Sequence, residues 1–140
     1  MQKIKLTLII LSVLCVFAQI VIGSSDNSFD HSDNIKKNLE KLKIAPDSCL
    51  FLEQVAASYN ALEDYDNAIR YYNKVVSFCP SNYHALFQIG TCLYRDGGED
   101  SGLEYMDKAI SKALELGDKD FHKQYIEEKK AWMTLKKNEK

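Results

Sequence analysis

The 140-residue sequence predicts an all-α fold of stacked antiparallel helix hairpins, about six helices in all, behind an N-terminal signal segment. Three observations carry this. Residues 49–82 and 83–116 align at an offset of 34 with no gap. Apolar residues within each copy step by three and four, as on one face of a helix. Small residues recur where paired helices would cross most closely.

The first element is an address. Lys3 and Lys5 precede Leu6–Ile22, 17 residues without charge, broken only by Thr7, Ser12 and Gln19. A basic start, an apolar run and a small residue before a polar stretch describe a secretory signal peptide. Cleavage after Gly23 is the first expectation and after Ala18 the second. The alternative is a retained anchor, since 17 apolar residues reach the short edge of a bilayer span. Bulky Leu14 before Cys15 disfavours a lipoprotein. Either way the rest of the chain leaves the cytosol, for the periplasm, a secretory lumen or the outside. Residues 24–32 (SSDNSFDHS) are polar and aperiodic, and are expected to form a disordered lead-in.

The helical domain is expected over 33–137. A first flanking helix, 33–45, places Ile35, Leu39 and Leu42 on one face before Pro46. In the first repeat Leu52, Val55, Ala56 and Tyr59 mark one helix and Ala68, Ile69, Tyr72, Val75 and Val76 its partner. Asp64 is a candidate N-cap between them. Pro80 ends the pair, and Ser81 can cap the next helix. In the second repeat Leu86, Ile89, Gly90 and Leu93 answer the first set; Gly102, Leu103, Met106, Ala109 and Ile110 answer the second, with a turn at Gly97-Gly98. A closing helix, 119–136, bears Phe121, Tyr125, Trp132 and Leu135 among Lys and Glu. It is expected to cap the stack, because two repeats alone bury too little surface.

The arrangement Leu52-x2-Val55-Ala56-x2-Tyr59…Ala68-x3-Tyr72…Pro80 resembles the tetratricopeptide repeat. The second copy departs from the pattern with Leu93, Gly102, Met106 and Leu114. Leu114 stands where proline is expected, so that helix should run longer. The resemblance implies that the first helix of each pair lines a concave groove that holds a peptide or protein segment. Carried over by register, the groove positions are Leu50, Glu53, Gln54, Ala57 and Asn60, then His84, Phe87, Gln88, Thr91, Tyr94 and Arg95. Phe87 and Tyr94 would grip the ligand, with Arg95 for an acidic group; the alternative is that either aromatic packs on the flanking helix. Chaperone-binding members clamp a C-terminal carboxylate with a Lys/Asn set, but Glu53 and Ala57 stand there.

Cysteine pairing follows from the hairpin register. With the turn near Asp64, residues whose numbers sum to about 128 face each other. Cys49 and Cys79 satisfy that rule, and an oxidising compartment would let them bond. Cys92 takes a small helix-facing slot and should be a buried free thiol.

Composition limits the rest. Lys and Arg number 18 against 20 Asp and Glu, so no basic excess marks a nucleic-acid binder. Without residues 1–23 the chain holds 16 bases and 20 acids, with no pull toward anionic lipid; membrane contact is expected only if the leader is retained. The sequence contains no CxxC, HExxH or phosphate loop after a strand. The expectation is a non-enzymatic adaptor without metal or cofactor. The alternative is a membrane-anchored assembly subunit.

Overall fold

The computed structural model describes residues 27–137, and all regular structure among them is helical. The elements are α1 (Asn27–Leu42), α2 (Cys49–Ala61), α3 (Tyr65–Phe78), α4 (Tyr83–Arg95), α5 (Glu99–Glu115) and α6 (Lys119–Lys137). The signal peptide read at 1–23 and the start of the lead-in lie outside the described residues.

The lead-in reading needs correction: residues 27–32 belong to α1, which ends at Leu42 and not at 45. The physical reason is cooperativity. Once Ile35, Leu39 and Leu42 seat one end on the core, each added polar turn extends an existing helix at little cost. Solvent-facing turns carry no apolar period, so the sequence is silent about them. A polar relay fixes how α1 lies on α2. Asn38 is 1 % exposed and donates to Asn34 Oδ1 (2.8 Å). Asn34 Nδ2 donates to Ser58 Oγ (3.1 Å), and Ser58 Oγ donates to the Gln54 carbonyl (2.9 Å). Asn38 thus has a partner for its buried amide, which would otherwise cost about 1–3 kcal/mol.

Three helices end in the same way. The N–H groups of Asp64, Gly98 and Asp118 donate to the carbonyls of Tyr59, Leu93 and Ala113, five residues back. The residue before each, Glu63, Gly97 or Gly117, takes a positive φ of 60°, 97° or 80°. This is the left-handed stop that collects the last carbonyls of a helix. Glu63 adopts it without being glycine and so carries a modest strain.

The starts of α3 and α4 are capped by side chains. Asp64 accepts from Asn67 N (3.2 Å) at α3. At α4 the cap is Asn82, which accepts from Ala85 N (2.9 Å), and not Ser81, which is exposed. Pro80 ends α3 two residues before Asn82, so the chain needs that extra residue to turn before its carbonyl can open α4.

The core has two parts that meet on α4. Ala85, Ile89 and Cys92 join Leu52, Val55 and Tyr72 beneath the first hairpin. Phe87 and Tyr94, on another side of α4, join Met106, Ile110 and Tyr125 beneath α5 and α6. α5 runs 17 residues against 14 in α3, an extra turn at the position where Leu114 replaces proline.

A disulfide joins Cys49 and Cys79 across the open end of the first hairpin, with their Cα atoms 6.5 Å apart. Cys92 is free and buried. Burial pushes its thiol up to about 11, while Arg95 pulls weakly the other way. It is therefore a packed apolar group, with little thiolate at neutral pH.

Candidate functional site

α2 and α4 run side by side in the same direction, tied near both ends. Glu53 Oε1 lies 3.0 Å from His84 Nδ1 near their starts. Near their ends Arg95 Nη1 donates to Asn60 Oδ1 (3.5 Å), and Nη2 lies 3.4 Å from Glu63 Oε1. The Arg95 guanidinium also sits over the Tyr65 ring, 5.1 Å from its centroid. These pairs are at least partly solvated, so each is worth well under 1 kcal/mol and serves chiefly to align the strip.

Eight of the register positions form this strip. Leu50, Gln54, Ala57, His84 and Arg95 are exposed, and Glu53, Asn60 and Gln88 are partly so. His84 Nε2 lies 3.3 Å from Gln88 Nε2, which extends the polar row along α4. Leu50, 61 % exposed, is its apolar member of any size.

Phe87, Thr91 and Tyr94 are corrected. They are at most 5 % exposed and cannot grip a ligand. Phe87 stacks on Tyr125 of α6, with centroids 4.2 Å apart and planes at 13°. Tyr94 tilts against Trp132 (6.0 Å) and donates its hydroxyl to the Trp132 carbonyl (3.3 Å). Tyr83 meets Phe121 in the same fashion (6.0 Å). All three pairs are 38 residues apart, so α6 lies along α4 as a parallel neighbour. α5 is three residues longer than α3 and the connection after it one residue shorter. Helix starts therefore lie 36 residues apart here (Tyr83 to Lys119) against 34 before (Cys49 to Tyr83), a change the repeat register does not reveal. Thr91 turns inward and donates to the Gln88 carbonyl (2.9 Å). The physical reason for Phe87 and Tyr94 is desolvation: aromatic rings facing the α6 stripe lower the free energy more when covered than when wet.

Beside the starts of α4 and α6 the strip opens into a cleft of about 420 Å³, lined by Glu53, Asn82, Tyr83, His84, Phe121, Tyr125 and their neighbours. Register reasoning found only Glu53 and His84 of these. Tyr83 donates its hydroxyl to Asp118 Oδ2 (2.6 Å). Asp118 also caps α6 by accepting from Phe121 N (3.2 Å). The Tyr83 bond, then the Phe121 N–H, hold the Asp118 carboxyl below its ordinary value. The same bond holds the Tyr83 phenol above its own. Tyr125 is 2 % exposed, and its hydroxyl has no hydrogen-bond partner among the described residues.

No protein-family model matches the chain. It is 26% identical over 81 residues to the small glutamine-rich tetratricopeptide repeat-containing protein 2 of Saccharomyces cerevisiae. That stretch is 58% of this chain and 23% of that protein, so the chain spans about a quarter of its relative's length. Among solved structures it is similar to the TPR2B domain of yeast Sti1, from a TPR2B-domain:pHsp70 complex. The TM-score is 0.67 at 22% identity, over 78% of this chain and 90% of that one. A MamA structure from MSR-1 follows, with a TM-score of 0.51 at 15% identity over 76% of this chain and 70% of that one. Both structural likenesses concern the fold.

Proposed function

We propose that this chain, a tetratricopeptide-repeat protein by fold and register, is a protein-interaction module that works outside the reducing cytosol and holds a polypeptide segment along the α2–α4 strip. One observation carries the reading: the apolar stripes of both helices are buried, while Leu50, Gln54, Ala57, Gln88 and Arg95 stay open along one row. A row that sets the polar groups of Gln54, Gln88 and Arg95 beside Leu50 and the small Ala57, held in register by cross-helix pairs, suits the backbone and mixed side chains of an extended peptide. The Sti1 likeness supports a polypeptide ligand. A carboxylate clamp is not carried over, because Glu53 and Ala57 occupy its positions. The Cys49–Cys79 bond and the apolar leader support export, since disulfides persist in oxidising compartments.

Ala57 provides the test. It is exposed midway along α2, so Ala57→Tyr obstructs the row without touching the core. Pulldown from the native compartment should lose its partner with this variant while the melting temperature stays unchanged. Asn73→Tyr, on the exposed side of α3, should bind as before. Retention of the partner by Ala57→Tyr would refute the strip as the site. Alkaline extraction of membranes should release the native protein, whereas a retained anchor would hold it back.

A further inference from the structure

The cleft at the start of the strip has features that neither packing nor the row of polar groups explains. Its inner wall is three aromatic rings at steep angles to one another. Tyr83 and Phe121 have centroids 6.0 Å apart at 57°, Tyr83 and Tyr125 6.1 Å at 70°, and Phe121 and Tyr125 5.8 Å at 55°. Phe121 remains 41 % exposed, so part of this wall faces outward. Tyr125 lines the cleft, and its hydroxyl is buried with no hydrogen-bond partner among the described residues, an arrangement that costs free energy if nothing answers it. Burial raises its ionisation above the ordinary tyrosine value, helped by Tyr83, Glu128, Glu53 and Asp118. The hydroxyl therefore lies in a field set by carboxylates.

The sign of that field is the second observation. Among the described residues no lysine or arginine lines the cleft. Glu53 meets His84 through Oε1, but its Oε2 has only a long contact to Asn82 Nδ2, at 3.5 Å. Helix starts ordinarily favour anions. Here Asn82 and Asp118 already accept from the first turns of α4 and α6, and Asp118 adds its own negative charge. Aromatic faces, carboxylate oxygens and a free phenolic acceptor all attract positive charge.

We propose that this cleft receives a basic side chain, an ammonium or guanidinium, carried by the polypeptide that lies along the strip. The cation docks against the faces of Phe121 and Tyr83 with Glu53 Oε2 as counter-charge, and one of its N–H groups donates to the Tyr125 hydroxyl. This deepens the strip reading and rests on it, because the cleft opens at the strip's His84–Glu53 end.

Capped pentapeptides test it on the full chain. N-acetylated, C-amidated Gly-Gly-Lys-Gly-Gly is titrated while the amide resonances of Tyr83, His84 and Phe121 are followed, against peptides with norleucine or glutamate in the central place. The lysine peptide should shift these resonances and bind at least tenfold more tightly than either substitute. Glu53→Gln should weaken it about tenfold. Tyr125→Phe should weaken it several-fold while raising or leaving unchanged the melting temperature, a split that a merely structural hydroxyl would not produce. Equal binding of lysine and norleucine, preference for glutamate, or unchanged affinity in Tyr125→Phe would overturn the proposal. If Ala57→Tyr loses the native partner but Glu53→Gln and Tyr125→Phe both retain it, the strip stands and the cleft assignment falls.

Discussion

The closest approach in the second hairpin gives the sharpest prediction. A Cβ built on Gly90 would lie 2.7 Å from the Gly102 carbonyl oxygen, 2.8 Å from Met106 Cγ and 2.9 Å from Met106 N. A Cβ on Gly102 would lie 2.7 Å from the Gly90 oxygen and 2.8 Å from Tyr94 N. Most of these neighbours are backbone atoms, so they cannot swing away and α4 and α5 would have to part. Two effects oppose each other in Gly90→Ala. Helix preference favours alanine by about 1 kcal/mol in a helix interior. Overpacking a tight core contact costs typically 1–3 kcal/mol. At sub-3 Å contacts with backbone the overpacking falls at the upper end of that range, about 2–3 kcal/mol, and wins, for a net loss of about 1–2 kcal/mol. Each kcal/mol lowers the melting temperature of a domain near 100 residues by about 4–8 °C, so a drop of at least about 4 °C is expected. Urea unfolding with the disulfide intact measures it. Gly102→Ala should cost a similar amount, and the double variant less than the sum, because helices already parted accommodate the second methyl. A Gly90→Ala protein more stable than the parent would show that propensity dominates and that the helices do not touch there. The first hairpin carries Ala56 and Ala68 at the equivalent positions, both fully buried, so its helices already stand a methyl apart.

Three further outcomes follow from the same geometry. Reducing Cys49–Cys79, which closes a loop across a separation of 30 residues, should cost about 3–4 kcal/mol in chemical denaturation; an unchanged midpoint would count against that bond. Phe87→Ala should cost about 3–5 kcal/mol by opening a cavity against Tyr125, whereas an unchanged melting temperature would mean that α6 does not cover it. Tyr83→Phe should lose stability in a pH-dependent way. Asp118 is held below its ordinary value, so the contribution of its bond is full above that value, near pH 4, and fades as pH falls through the lower folded one. Tyr83 is held above its ordinary value, so the same bond persists to about pH 10 and is lost as pH rises beyond it. Melting curves of parent and variant should therefore converge in acid, and a constant gap would refute the assignment.

The parts of this molecule that repeat were readable from sequence, and the parts that depend on one extra turn were not. Leu52, Val55, Ala56, Ala68 and Tyr72 and their equivalents announce two hairpins because each position recurs at the same spacing and depth. The Cys49–Cys79 pair follows from that register alone, since an antiparallel hairpin sets which residues share its open end. Phe87 and Tyr94 failed for a different reason. Register assigns them to the first helix of a pair, where an incomplete stack would leave them open. Whether a further helix covers that row depends on where α6 lands, which the added turn of α5 sets. The cleft escaped for the same cause: Tyr83, Phe121 and Tyr125 come from two helices, and no periodicity pairs residues 38 apart. The helical reach of α1 back to Asn27 was hidden because exposed turns leave no apolar signature.

Photo-cross-linking along the row tests the central claim most directly. A photoreactive residue is placed at Ala57 on α2, and separately at Asn73 on the exposed side of α3, and each protein is irradiated in its native compartment. The account predicts a discrete covalent adduct to one polypeptide from position 57 and none from position 73. Adducts of equal yield from both positions, or from 73 alone, would contradict it.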